Sequence, residues 1–111
     1  MSIQILELDQ RDTYLQFIVQ LWQANVKVTH TFLMKEEIQN IKQYVPQAVE
    51  HVPHLCIALS KQGELLGFIG VADQRLEMFF IQVNARGQGI GKQLLRYAIK
   101  NFDVKELTVN E

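Results

Sequence analysis

The sequence predicts an α/β domain of the α+β type: a mixed, mostly antiparallel sheet with helices on both faces, in the order β-α-α-β-β-β-α-β. Three observations predict it. Two stretches with apolar residues at helical spacing follow a short alternating run at the N-terminus. Three apolar runs then come in quick succession, separated only by turn residues, as in an antiparallel meander. The last of them leads into Arg86-Gly87-Gln88-Gly89-Ile90-Gly91 and from there into a third helical pattern.

Ile3, Ile5 and Leu8 alternate with Gln4 and Glu7 as a half-buried first strand, and Asp9 or Asp12 can cap the helix that comes next. Tyr14, Leu15, Ile18, Leu21, Trp22 and the stretch Ala24 to Val26 recur at helical spacing and predict a helix from Tyr14 to Val28. Thr29, His30, Thr31 and Phe32 interrupt that pattern. Lys35-Glu36-Glu37 restarts a helix with acidic residues in its first turn, where they suit the dipole. Pro46 removes a backbone donor and disfavours α geometry at Val45, so a kink or two short helices are expected, and Pro53 closes the segment.

His54 to Ser60 reads as a strand, Lys61-Gln62-Gly63-Glu64 as a turn and Leu65 to Ala72 as the next strand. Asp73-Gln74 makes a second turn. Arg75 to Val83 is the third strand, apolar at both parities from Met78 to Ile81 and therefore expected to be covered on both faces. A helix from Gly89 to Asn101 and a β-rich run from Lys105 to Val109 complete the chain.

With 111 residues, 48 % of them hydrophobic, the chain is expected to form one domain, 1–111, around a substantial core. A formal net charge of −1 offers no electrostatic case for nucleic acid or a membrane surface. Cys56 is the only cysteine, which excludes an internal disulfide and fits a reducing compartment. It lies in the apolar run Leu55 to Leu59, so it reads as a buried structural thiol rather than a nucleophile. Met1 to Leu8 is too short and too polar for a signal peptide, and no apolar run approaches a membrane span, so a cytoplasmic location is expected. His51 and His54 flank Pro53, and no metal site is expected there.

A glycine loop between strand and helix lets the backbone approach a ligand, turns successive N–H groups inward and adds the positive end of the helix dipole. Such a loop binds phosphate. Three patterns compete for it. A P-loop requires Gly-Lys-Ser/Thr preceded by a glycine, but Gln93 follows Gly91-Lys92 and Arg86 stands at the glycine position. A dinucleotide fingerprint fits at Gly87 and Gly89, places Lys92 where its third glycine belongs, and would use Glu111 as its distal acid. The third pattern, Arg/Gln-x-x-Gly-x-Gly/Ala, is met at every fixed position by Arg86, Gly89 and Gly91.

On that match, the stretch from Phe79 to Leu95 resembles the acetyl-CoA-binding motif of the GCN5-related N-acetyltransferases, the GNAT superfamily, and the order of elements resembles the first two-thirds of that fold. The resemblance implies that acetyl-CoA lays its pantetheine arm along Ile81, Gln82 and Val83. It implies that the pyrophosphate rests on Arg86, Gly87, Gln88, Gly89, Ile90, Gly91 and Lys92. The same resemblance implies acetyl transfer to a primary amine, of a small molecule or a peptide, by direct attack in a ternary complex. It also implies that the last helix, its proton-donating tyrosine and the final two strands fall outside this sequence. Two copies pairing through the uncompleted sheet edge would cover that gap.

Acetyl transfer requires an amine to lose a proton and a thioester carbonyl to be polarised. Glu77 is the candidate base: alternation puts it on one face with Phe79, Ile81 and Val83, and it stands four residues before Ile81, where histone-type members carry a catalytic glutamate. It also reads as a surface partner for Arg75. The resemblance places the oxyanion donor at a backbone N–H near Ile81. Trp22, Thr29, His30 and Phe32, at the junction of the first two helices, are the candidate acceptor-pocket residues; Trp22 also reads as core and His30 as a helix-end histidine satisfied by backbone. A catalytically inactive CoA-binding or dimerising remnant is the alternative function.

Overall fold

The computed structural model describes residues 3–29 and 35–107. Strands β1 (Gln4–Glu7), β2 (His54–Leu59), β3 (Leu65–Ala72), β4 (Arg75–Ile81) and β5 (Glu106–Leu107) form one sheet in chain order. The pairs from β1 to β4 are antiparallel, and β5 joins β4 in parallel through Arg75↔Glu106 and Leu76↔Leu107. The β3–β4 hairpin closes through Asp73 and Gln74, whose φ values of 51° and 65° give a turn with the strands' own twist. β4, the helix that follows it and β5 make a parallel unit around the glycine loop, but the strands ahead of it form an antiparallel meander, which counts against the dinucleotide-binding alternative and its parallel sheet.

Helices α1 (Asp12–Thr29), α2 (Lys35–Lys42) and α3 (Val45–His51) cover one face of the sheet, and α4 (Ile90–Phe102) covers the other. Strand alternation divides the core accordingly. Leu55, Ile57 and Leu59 of β2 pack with Ile18, Leu21, Trp22 and Phe68 on the α1–α3 side. Cys56 and Ala58 face the other way, against Ile69, Ile90, Leu94 and Ala98. From β4, Met78 and Phe80 join the first cluster while Phe79 and Ile81 join the second, so this strand is covered on both faces as its composition predicts. The break at Pro46 takes the form of two short helices. Pro46 lies in the first turn of α3, where a missing N–H forfeits no helical bond.

Arg11 ties the α1 side together. Its guanidinium donates to the carbonyls of Val49 (2.7 Å), Glu50 (3.0 Å), Val52 (2.5 Å) and Pro53 (3.2 Å), where α3 ends and its last carbonyls lack helical partners. The cation also sits at the negative end of the α3 dipole.

Cys56 has no exposed surface, and burial pushes its thiol from 9.0 up to about 12, with the Glu7 carboxylate adding to the rise and Arg11 opposing it. The thiol is raised in the folded state, so its contribution to stability is complete below the unfolded value and is lost as pH rises toward the folded one. Chemical denaturation at stepped pH should therefore show stability falling by ~1 kcal/mol per pH unit above pH 9.0 for the native chain and not for Cys56→Ala. A native chain that loses no more than the variant would contradict the assignment.

Candidate functional site

The loop singled out in the sequence and the C-terminal end of β4 form one continuous surface. Gln82 donates its N–H to the Leu66 carbonyl at 2.8 Å, which makes Gln82 and Leu66 a hydrogen-bonded pair. Antiparallel pairs alternate between bonded and non-bonded, so Phe79 and Ile81 turn their N–H and C=O groups away from β3. The described pairing with β5 reaches only Arg75 and Leu76, so those outward groups lie farther along the same edge of β4. The close approach of β3 here depends on Gly67: a Cβ there would stand 2.7 Å from Ile81 Cδ1 and 2.9 Å from the Phe80 carbonyl oxygen.

Two expectations about β4 need correction. Gly70 pairs with Met78 and Val71 with Leu76, so Glu77 is the extra residue of a β-bulge. The bulge shifts the parity of the strand, and Leu76 rather than Glu77 shares the α4 face with Phe79 and Ile81. Glu77 itself is exposed. The strand also ends at Ile81 rather than Val83, because residues Val83–Ala85 form a single 3-10 turn. Gln82 has its N–H on Leu66 and its C=O on the Ala85 N–H (2.9 Å), so its backbone is engaged within the chain and only its side chain is available to a ligand.

Beyond the turn, Gly87 and Gly89 hold φ values of 82° and 81°, a left-handed geometry that most side chains resist, and no heavy atom lies within 4 Å of where a Cβ would stand at either position. Gly89 is the N-cap of α4, and no side chain among the described residues caps it. The first α4 hydrogen bond runs from Gln93 N–H to the Gly89 carbonyl at 3.1 Å. The N–H groups of Ile90, Gly91 and Lys92 precede it and have no helical acceptor. The Ile90 side chain is 1 % exposed, so that residue offers the loop its backbone alone. A Cβ at Gly91 would lie 3.2 Å from Phe79 Cζ; the bare glycine lets the first turn of α4 rest on β4. Gln88 and Lys92 are exposed.

Arg86 is joined to this surface by Asn25, a residue of α1 outside the predicted site. Asn25 is 4 % exposed. Its Nδ2 donates to the Leu21 carbonyl at 3.0 Å and to the Ile81 carbonyl at 2.9 Å, and its Oδ1 accepts from an Arg86 guanidinium nitrogen. The sequence signal for it is an amide on the apolar stripe of α1, four residues after Leu21 and beside Val26. Of the candidate acceptor-pocket residues, Trp22 is 9 % exposed within the core, Thr29 closes α1, and His30 and Phe32 lie outside the described residues. A cavity of ≈ 500 Å³ opens between α1 and the β2–β3 turn, lined in part by Tyr14, Phe17, Gln20 and Gln82; neither Glu77 nor Arg86 reaches it.

The geometry is therefore a row of uncapped helix N–H groups, an anchored arginine and a β4 edge that is unpaired beyond Leu76 among the described residues. Residues 19–111 match the family model described as "Acetyltransferase (GNAT) domain". The chain belongs to the GNAT acetyltransferase family. It is 30 % identical over 94 residues to the protein named peptidyl-lysine N-acetyltransferase YjaB of Salmonella typhimurium, a match covering 85 % of this chain and 64 % of that protein. The solution structure of apo-form YjaB from Escherichia coli superimposes with a TM-score of 0.78 at 27 % identity, over 90 % of this chain and 66 % of that one. The PaiA N-acetyltransferase from Thermoplasma acidophilum, solved in complex with coenzyme A, shares the fold with a TM-score of 0.72 at 20 % identity, over 93 % of this chain and 73 % of that one. The chain thus spans just under two thirds of the length of the curated relatives it matches.

Proposed function

We propose that this GNAT chain binds acetyl-CoA and transfers the acetyl group to a primary amine, with a peptidyl lysine as the acceptor class. The observation that carries the reading is the uncapped N-terminus of α4, with Ile90, Gly91 and Lys92 N–H groups directed at an open loop beside Arg86. A pyrophosphate would satisfy those donors and complement the dipole. The residues present fit the group: Gly87 and Gly89 leave open space for it, and the Phe79 and Ile81 N–H groups that point away from β3 are donors that a pantetheine arm could use. Acetyl-CoA supplies an activated acyl thioester. The chain's part is to hold it, to direct a backbone N–H of β4 at the oxygen where charge develops, and to take a proton from the amine. Glu77, lifted out of the strand ladder by the bulge, is the side chain for that last step. The lysine acceptor is carried over from the name borne by the YjaB relatives.

Calorimetric titration with acetyl-CoA, followed by mass spectrometry of lysine-containing peptides after incubation with it, tests both halves. Saturable binding and acetylation at a lysine side chain are the expected results. Binding without turnover would remove the transfer step and favour a CoA-binding remnant. No binding would remove the reading altogether.

A further inference from the structure

We infer that Asn25 is a positioning residue for the coenzyme: it holds Arg86 against the end of β4 so that the guanidinium and the Ile81 edge meet the ligand as one prearranged surface. The inference rests on the acetyl-CoA reading above and adds to it a residue on a different element. Three facts carry it. Asn25 is the only polar residue among the buried side chains of the described residues, at 4 % exposure, in a core otherwise apolar. Its amide bridges parts of the chain far apart in sequence, with Ile81 56 residues away and Arg86 61 residues away. Both partners belong to the candidate site, and neither belongs to the core of α1.

The chemistry explains why an amide stands there. A guanidinium has five N–H donors, so one bond to Asn25 Oδ1 leaves the others for phosphate oxygens. An aspartate would hold the same arginine more strongly but cancel its charge, and would set a second acceptor against the Leu21 and Ile81 carbonyls that Asn25 now serves as donor. A neutral side chain with donor and acceptor at one end orients Arg86 and leaves its positive charge for the ligand. Holding a long, flexible side chain in its bound direction removes part of the ordering cost of binding. The second Asn25 bond fixes the carbonyl of Ile81, the residue whose N–H points away from β3, so strand end and arginine are referred to the same atom group.

A double-mutant cycle on the full chain tests this, with coenzyme A as the titrant and Asn25→Ala, Arg86→Ala and the double variant compared with the native chain. Circular dichroism and thermal melting establish that each variant is folded; should Asn25→Ala not fold, Asn25→Ser keeps an acceptor and a smaller cavity and takes its place. The expected result is that each single change weakens coenzyme A binding about tenfold, while the double variant is within about threefold of the weaker single one. Non-additivity of that kind is not produced by a residue that merely fills the core. Losses that multiply, or an Asn25 variant that binds within about twofold of the native chain, would overturn the inference. A native chain that does not bind coenzyme A would overturn the acetyl-CoA reading itself, and that outcome is visible before any variant is made.

Discussion

Gly89→Asp should fold and should lose coenzyme A binding by at least about a hundredfold, roughly 3 kcal/mol. The two halves of that result have separate physical origins. Gly89 has φ of 81° and nothing within 4 Å of its missing Cβ, so the new side chain meets strain but no collision. Aspartate is among the residues that tolerate the left-handed region. The carboxylate would stand near the N–H groups at the start of α4, where its attraction to the positive end of the helix dipole offsets the backbone strain and keeps the helix folded. In doing so it crowds the donors assigned to pyrophosphate and places a negative charge where the ligand's own negative charge belongs. Gly89→Asn separates the two contributions, because it brings a side chain of the same size without the charge; its loss should be nearer tenfold. Calorimetric titration with coenzyme A, with helix content followed by circular dichroism, reads both. If Gly89→Asp binds within threefold of the native chain, the uncapped end of α4 is not where the pyrophosphate rests.

Much of this site was legible because it consists of residue types with few alternative uses. A run of glycines between an apolar strand and an amphipathic helix, with Arg86 at its start, limits the backbone to a small set of loops, and Gly87 and Gly89 adopt the left-handed values such a loop requires. The meander was legible for the same reason: Asp73-Gln74 and Lys61 to Glu64 can hardly be anything but turns between apolar runs. What could not be read depends on contacts between distant parts of the chain. The bulge at Glu77 leaves no mark in a strand whose residues from Met78 onward are apolar at both parities, so alternation assigned Glu77 to a face that Leu76 occupies. Gly91 reads as a ligand-binding glycine, yet its lack of a side chain is also what brings α4 down onto Phe79. Arg11 looks like a surface residue between two acids, and only the fold brings to it carbonyls lying 38 to 42 residues away. Asn25 does leave a signal, a polar residue on a buried stripe, yet the helical pattern read from the sequence absorbs it in the stretch Ala24 to Val26 and gives it no role.

On the proposed transfer to a lysine peptide, Glu77→Gln should lower kcat/KM by ~10²-fold at neutral pH while leaving the KM for acetyl-CoA unchanged. A lysine amine with a pKa near ~10.4 is almost entirely cationic at neutral pH and cannot attack until a proton has been removed. Glutamine is nearly the same size and shape but cannot accept that proton, so the change removes one step and little else. Glu77 is exposed and sits in the bulge, out of the ladder, so the variant should melt with the native chain, within about 0.5 kcal/mol in stability. The deficit should also shrink as pH rises, because a growing fraction of the acceptor arrives already deprotonated and no longer depends on a base. Rates measured from pH 7 to 9.0 remain below the range in which the Cys56 thiol weakens the fold, so the trend can be followed on an intact protein. A constant deficit across that range would mean that Glu77 orients the acceptor or the strand rather than taking its proton. A variant within about threefold of the native rate at neutral pH would place the base elsewhere, in a bound water or in a group beyond the described residues.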